Sequence, residues 1–456
     1  MQRSFITLGV SVLLAACVTA PRPPEVAAPA LPTRWQAPAS ECAACGGWQA
    51  FGSAELEALT AQALAQNLDL AAAAARVAQA DATARIAGAA LQPGVTAQLD
   101  ASRQDRLGGE AVVAGRSLGA SLSAQYELDF WGRHRAARDS ALRGLQASVF
   151  DRDTVRLGLI ASVASTWLQA VSTGERSEIA TLNLSRATRV LALVESRARA
   201  GAATPLELAQ QRGLVATQAR SLAALRQQAV DARTTLALLL GETGARALRT
   251  PSLEVLVPPE LGAGLPSGLL ARRPDVAAAE ARLAAADADV AAARAAMLPR
   301  VTLGGSLGYA GDRMRTLLDN PLYSLAAGLA APVFDAGRLA AEADQATARR
   351  TELLANYHQA IVAAFGDVEV ALNAVDGSRA QAEAQSEELL QAGRAATLAE
   401  SRYRAGAETL LTLLDAQRTL YAAQDEAVQA RLARLQAGVA LHRALGGGWQ
   451  VAELGR

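Results

Sequence analysis

The sequence predicts a mainly α protein with a small membrane β part, built as a tandem repeat of helix–strand–strand–long helix–long helix. Three observations predict it: the chain repeats itself at a near-constant offset, four stretches alternate strictly, and two very long runs keep helical spacing without proline. The repeat is plainest where NLDLAAAAARVAQADA, starting at Asn67, meets RPDVAAAEARLAAADA, starting at Arg273. Asp69 matches Asp275, Arg76 matches Arg282 and Pro93 matches Pro299, each at an offset of 206. Further on, Phe130-Trp131-Gly132-Arg133 faces Asp335-Ala336-Gly337-Arg338, and Arg199-Ala200-Gly201 faces Arg404-Ala405-Gly406, at an offset of 205. One residue of drift over so long a stretch marks a tandem duplication.

The elements follow in order. Residues 53–91 and 274–297 read as alanine-rich amphipathic helices, since alanine has the best helix propensity. Pro274 suits an N1 position, and Pro93 and Pro299 stop the helices. Strands are expected at about 95–102, 117–129, 301–309 and 323–332. In the second, Leu118, Ala120, Leu122, Ala124, Tyr126 and Leu128 alternate with Ser117, Ser121, Ser123, Gln125, Glu127 and Asp129. Alternation over about 9–11 residues fits transmembrane β-strands with an apolar lipid face and a polar lumen face. It also fits a half-buried soluble sheet.

The helices favour the first reading. No proline interrupts 134–200, and Leu142, Leu145, Val149, Leu157, Ile160 and Trp167 recur at helical spacing. Such a helix spans roughly 100 Å at 1.5 Å per residue. Return helices bring the hairpins to about 134–240 and 339–445, too long for a compact domain and suited to coiled-coil-like packing. The chain thus reads as a signal segment (1–16), a Pro/Ala-rich arm (17–50), repeat 1 (51–262) and repeat 2 (263–456). Four strands cannot close a barrel, and an open edge in lipid leaves backbone groups unsatisfied, so an oligomer is required. Two chains would give a side-chain-filled barrel, and three a water-filled pore.

Composition narrows the function classes. Lysine plus arginine (44) balance aspartate plus glutamate (44), so no net field draws the chain to nucleic acid. Aromatics are 4%, against a large aromatic core. After the N-terminus no run of about 18–20 apolar residues occurs, which rules out an ordinary helical membrane span as the sequence reads. Arg3, the apolar stretch Phe5–Leu14 and Leu14-Ala15-Ala16-Cys17 look like a bacterial lipoprotein signal, with Cys17 acylated after cleavage. A plain secretory peptide with a coincidental cysteine is the alternative. Cys42 and Cys45 lack the βαβ setting of a redox pair and read as a local disulfide or two thiols. His134, His358 and His442 are isolated, so no metal site is expected. No nucleophile–base arrangement or phosphate-cradling loop is present, and neither an enzyme nor a cofactor is expected.

At these residues the sequence resembles the TolC-like outer-membrane efflux proteins, in particular their lipoprotein branch (OprM- and NodT-like). The similarity runs from about Trp48 to Trp449. It is carried by YELDFWGR (126–133), LLARRPDVAAAEARLAAADADVAAARAAMLPRVTL (269–303), RYRAGAETLLTLLDAQRTL (402–420) and ALGGGW (444–449). The resemblance implies a homotrimer with a twelve-stranded outer-membrane barrel, a periplasmic helical tunnel and a lipid anchor. Val18 after Cys17, in place of Asp, fits outer-membrane sorting. The implied role is the passive exit duct of a tripartite drug exporter, with a periplasmic adapter (membrane fusion) protein and an inner-membrane transporter of the RND type. A duct for type I protein secretion is the alternative, and the periplasmic adapter itself is disfavoured because adapters lack such strand pairs.

Through the LTLLDAQR match, the resemblance places a periplasmic constriction at Leu411, Asp415 and Arg418. Their four-and-three spacing puts them on one helix face, able to form apolar, acidic and basic rings under three-fold symmetry. The alternative is a core Leu411 beside an ordinary Asp415–Arg418 surface pair. The turns with Gly201, Ala202 and Thr204, and with Gly406, Ala407 and Thr409, suit a glycine C-cap followed by a threonine N-cap. The resemblance makes them adapter-docking tips, with alanine at both positions where the family usually carries a larger apolar residue.

Overall fold

The computed structural model describes residues 26–36, 51–105, 107–108, 115–258, 262–264 and 266–450. Cys17, Cys42 and Cys45 lie outside the described residues. Two compact units result, one built on Ala78–Ala147 and Ala279–His358, the other on Pro29–Val77, Ser148–Ala278 and Gln359–Arg456. Each draws on both repeats.

The first expected helix is two helices, α1 (Ala54–Gln66) and α2 (Leu68–Ala89). Asn67 breaks them. Its backbone is extended (φ −68°, ψ 128°), and its Oδ1 accepts from the N–H groups of Asp69 and Leu70, both at 3.0 Å. Asparagine is a strong N-cap, so it starts a new helix where a continuous one was expected. In the second repeat the equivalent helix α5 (Pro274–Ala295) begins at its proline.

Four strands follow the alternation: β1 (Gly94–Gln104), β2 (Gly115–Leu128), β3 (Arg300–Gly311) and β4 (Pro321–Ala330). They form one antiparallel meander in the order β1-β2-β3-β4. The register keeps the two faces separate across all four strands. Ala97, Leu122, Leu307 and Tyr323 form one apolar row. Thr96, Ser123, Ser306 and Ser324 form a polar row on the other face, where the Ser306 and Ser324 hydroxyls are 2.7 Å apart. A one-residue slip would exchange the faces, so the pattern pins the register. The apolar row stays uncovered: Leu307 is 60% and Tyr323 81% exposed.

The long helices are α3 (Arg133–Arg199) and α4 (Pro205–Leu239), then α6 (Arg338–Arg404) and α7 (Leu410–Ala444). Asp129 leaves β2 to start α3, its carboxylate accepting from the N–H of His134 (3.0 Å) and of Arg135 (2.9 Å). One stretch of α3 is long and apolar enough, by length and composition, to cross a membrane, contrary to the expectation above. Its apolar residues have another use. Val163, Ala164, Trp167 and Leu168 are fully buried in a cluster with Leu56 and Leu59 of α1, Leu236 of α4 and Leu435 of α7. Truncating such a leucine to alanine costs about 2–5 kcal/mol.

Candidate gate and hairpin tips

Both hairpin tips are built from the same local chemistry. At the first, Gly201 takes φ 72°, and the chain closes a Schellman turn through Ala202 N–H to Arg197 O (2.8 Å) and Gly201 N–H to Ala198 O (3.1 Å). At the second, Gly406 takes φ 73°, with Ala407 N–H to Arg402 O (2.9 Å) and Gly406 N–H to Tyr403 O (3.0 Å). Glycine is required because a side chain at positive φ crowds the following carbonyl.

The caps that follow differ. Thr204 and Glu207 form a reciprocal capping box: Glu207 N–H donates to Thr204 Oγ1 (3.2 Å), and Thr204 N–H donates to the Glu207 carboxylate (2.6 Å). Thr409 also caps, accepting from Thr412 N–H at 3.3 Å. Position 412 cannot return the bond, and Glu408 replaces it from outside the helix, accepting from Thr409 N–H and the Thr412 hydroxyl, both at 3.1 Å. The Thr409 N–H first, then that hydroxyl, hold the Glu408 carboxyl below its ordinary pKa. This role was missed from sequence; an acid one place before a threonine cap was its only signal.

Behind the tips the two hairpins share one core. Val190 and Val194 of α3, Leu214 of α4, Tyr403 of α6, and Leu410, Leu413, Leu414 and Tyr421 of α7 pack together. Arg197 ties α3 to α6, lying 4.7 Å from the Tyr403 ring centroid and donating to its carbonyl at 3.2 Å. Burial pushes the Tyr421 hydroxyl up to about 12.

This packing decides which side of α7 is uncovered. Leu410, Leu413, Leu414 and Gln417 are buried, whereas Leu411, Asp415 and Arg418 all lie on the exposed face. Leu411 is 63% exposed and therefore not a core residue. Among the described residues no ion pair joins Asp415 to Arg418, so the ordinary surface pair does not form either. At the repeat offset, Leu206 matches Leu411 and is equally exposed, at 66%. Asp415 and Arg418, however, match Gln210 and Gly213, neither of which carries a charge. The charged pair is a property of the second hairpin alone.

The Outer membrane efflux protein family matches residues 59–242 and 265–447, once for each repeat. The chain is 50% identical to the pyoverdine export outer membrane protein OpmQ of Pseudomonas aeruginosa, over 98% of this chain and 98% of that one. It is 51% identical to OpmQ of Pseudomonas putida, over 99% and 98%. The open state of the Neisseria gonorrhoeae outer membrane channel MtrE superposes with a TM-score of 0.84 at 29% identity, covering 93% of this chain and 98% of that one. The apolar and polar sheet faces, the paired hairpins and these likenesses agree: the chain belongs to the outer membrane efflux protein family and is an outer-membrane efflux channel subunit.

Proposed function

We propose that three copies of this chain form the outer-membrane exit duct of a tripartite system that exports a siderophore of the pyoverdine class. The observation that carries the assembly is the four-stranded sheet. Its apolar face is exposed, and among the described residues β1 and β4 each offer an unpaired edge. In lipid those edges need partners, and copies of the same sheet supply them with apolar residues outward and polar residues lining the conduit. Half-identity to the OpmQ proteins along the whole chain supports the cargo class.

In this reading Cys17 carries the lipid anchor. The tips at Gly201-Ala202-Thr204 and Gly406-Ala407-Thr409 meet the periplasmic adapter, which links the duct to an inner-membrane transporter of the RND type. Leu411, Asp415 and Arg418 form the constriction, one apolar, one acidic and one basic position per subunit. Their common exposure on α7 supports this, as do the uncharged residues at the matching positions of the first hairpin. Expression in Pseudomonas putida lacking its own OpmQ tests the cargo. Restored pyoverdine secretion is expected; normal outer-membrane levels without restoration would redirect the cargo assignment.

A further inference from the structure

A cavity of about 400 Å³ lies where the sheet meets the helices, lined by Arg133, Arg300 and Arg338 with Glu342, Ala330 and Pro332. Three guanidiniums line this one open cavity, and like charges brought together favour an anion between them. Two of them have a partner. Arg133 Nη2 donates to both Glu127 oxygens at 2.8 and 2.9 Å, and Arg338 pairs with Glu342 at 2.7 Å. Donors remain even so: the Arg133 side chain is 30% exposed, and Arg300 is exposed and makes no ion pair among the described residues. Arg338 is also 61% exposed, leaving its remaining N–H groups accessible.

The cavity sits on one definite side of the sheet. Arg300 continues the β3 positions Thr302, Gly304 and Ser306, and Glu127 continues the β2 positions Ser121, Ser123 and Gln125. Both are on the polar face. Trp131 fixes the junction, its indole N–H donating to Pro299 O at 2.7 Å, beside Arg300. At the repeat offset, Arg300 matches Gly94, so the first repeat cannot reproduce the site.

We propose that this cavity is a binding site for oxyanions carried by the cargo, carboxylate groups in particular, with Arg300 as the principal ligand and Arg133 and Arg338 as further donors. Planar guanidiniums suit bidentate recognition of carboxylate. The inference rests on the polar face lining the conduit, as proposed above. In the trimer three such cavities would ring the junction and select anionic solutes before the barrel.

Citrate is the probe, titrated calorimetrically into the purified full-length protein in zwitterionic nanodiscs at physiological ionic strength. Export is not needed for this measurement, so its failure is distinguishable from failure of the cargo assignment. Wild type binds citrate saturably. Arg300→Gln weakens binding about tenfold or more, as expected for loss of a charge-assisted donor pair. Arg116→Gln, which removes a surface arginine at the opposite end of β2, leaves binding as in wild type. Should Arg300→Gln fail to assemble, Arg300→Lys keeps the charge without the planar fork and is expected to weaken binding several-fold. No saturable binding in wild type, equal affinity in an assembled Arg300 variant, or an equal loss in Arg116→Gln overturns the proposal.

Discussion

The Arg272 carbonyl oxygen occupies the space that a side chain at Gly446 would need: a Cβ there would lie 1.9 Å from it. The first repeat contains the same arrangement: a Cβ added at Gly241 would lie 2.9 Å from the Gln66 carbonyl oxygen. Beside each contact a side chain reaches the final carbonyl of the return helix. Asn67 Nδ2 donates to Leu239 O at 3.1 Å, and Arg273 Nη1 to Ala444 O at 3.4 Å. Each repeat therefore fastens the end of its return helix to the start of its alanine-rich helix.

Gly446→Ala is expected to destabilise the protein by about 2–4 kcal/mol, combining overpacking with the left-handed backbone at φ 89°. Gly448→Ala, at φ 80° but with open space, should cost only about 1 kcal/mol. Thermal melting of the purified variants measures the order. Equal losses would show that backbone strain alone sets the requirement at 446.

Ala336 has φ 56°, alone among the described non-glycine residues in being left-handed. Ala336→Gly relieves that strain, against the greater freedom of glycine in the unfolded chain. A net gain of about 0.5–1 kcal/mol is expected. A fall in melting temperature would mean that the Ala336 methyl group contributes more than its strain costs.

Glu55 gives the helical core an acid-sensitive contact. Burial raises its pKa, but the Thr250 hydroxyl, the N–H groups of Arg249 and Thr250, and the Trp167 indole together hold it below its ordinary value. The folded state thus favours the carboxylate. Its contribution is complete above the unfolded value of about 4.3 and is lost as pH falls through the lower folded pKa. Glu55→Gln should lower the melting temperature at neutral pH and flatten its dependence on acid. Parallel pH profiles for wild type and variant would assign the acid sensitivity elsewhere.

Asp415→Ala combined with Arg418→Ala should raise the ion conductance of the protein reconstituted in planar bilayers. Gln210→Ala in the first hairpin, at the position matching Asp415, should not. Unchanged conductance in an assembled double variant would remove the pair from the constriction.

Cys17→Ser should abolish incorporation of labelled palmitate while leaving the protein in the outer membrane, since the barrel already holds it there. Persistent labelling would place the acyl chain elsewhere.

Much of this protein is determined by the sequence itself. Period-two alternation placed all four strands, because side-chain direction along a strand depends only on its own backbone. The tip turns were equally legible, since glycine at positive φ and threonine caps act within a few residues. The break at Asn67 was missed although its capping bonds to Asp69 and Leu70 are local; only its further bond to Leu239 O, 172 residues away, needed the tertiary structure. The spacing of Leu411, Asp415 and Arg418 placed them on one face, but could not say whether that face is buried. The second hairpin's packing against the first decided it, by covering Leu410, Leu413 and Leu414 and leaving the other side of α7 open. The arginine cavity is likewise a product of tertiary structure, because Arg133, Arg300 and Arg338 are far apart in the chain and meet only when the strands pair. Local periodicity fixes what each element is; the chain's return past itself fixes what each side chain faces.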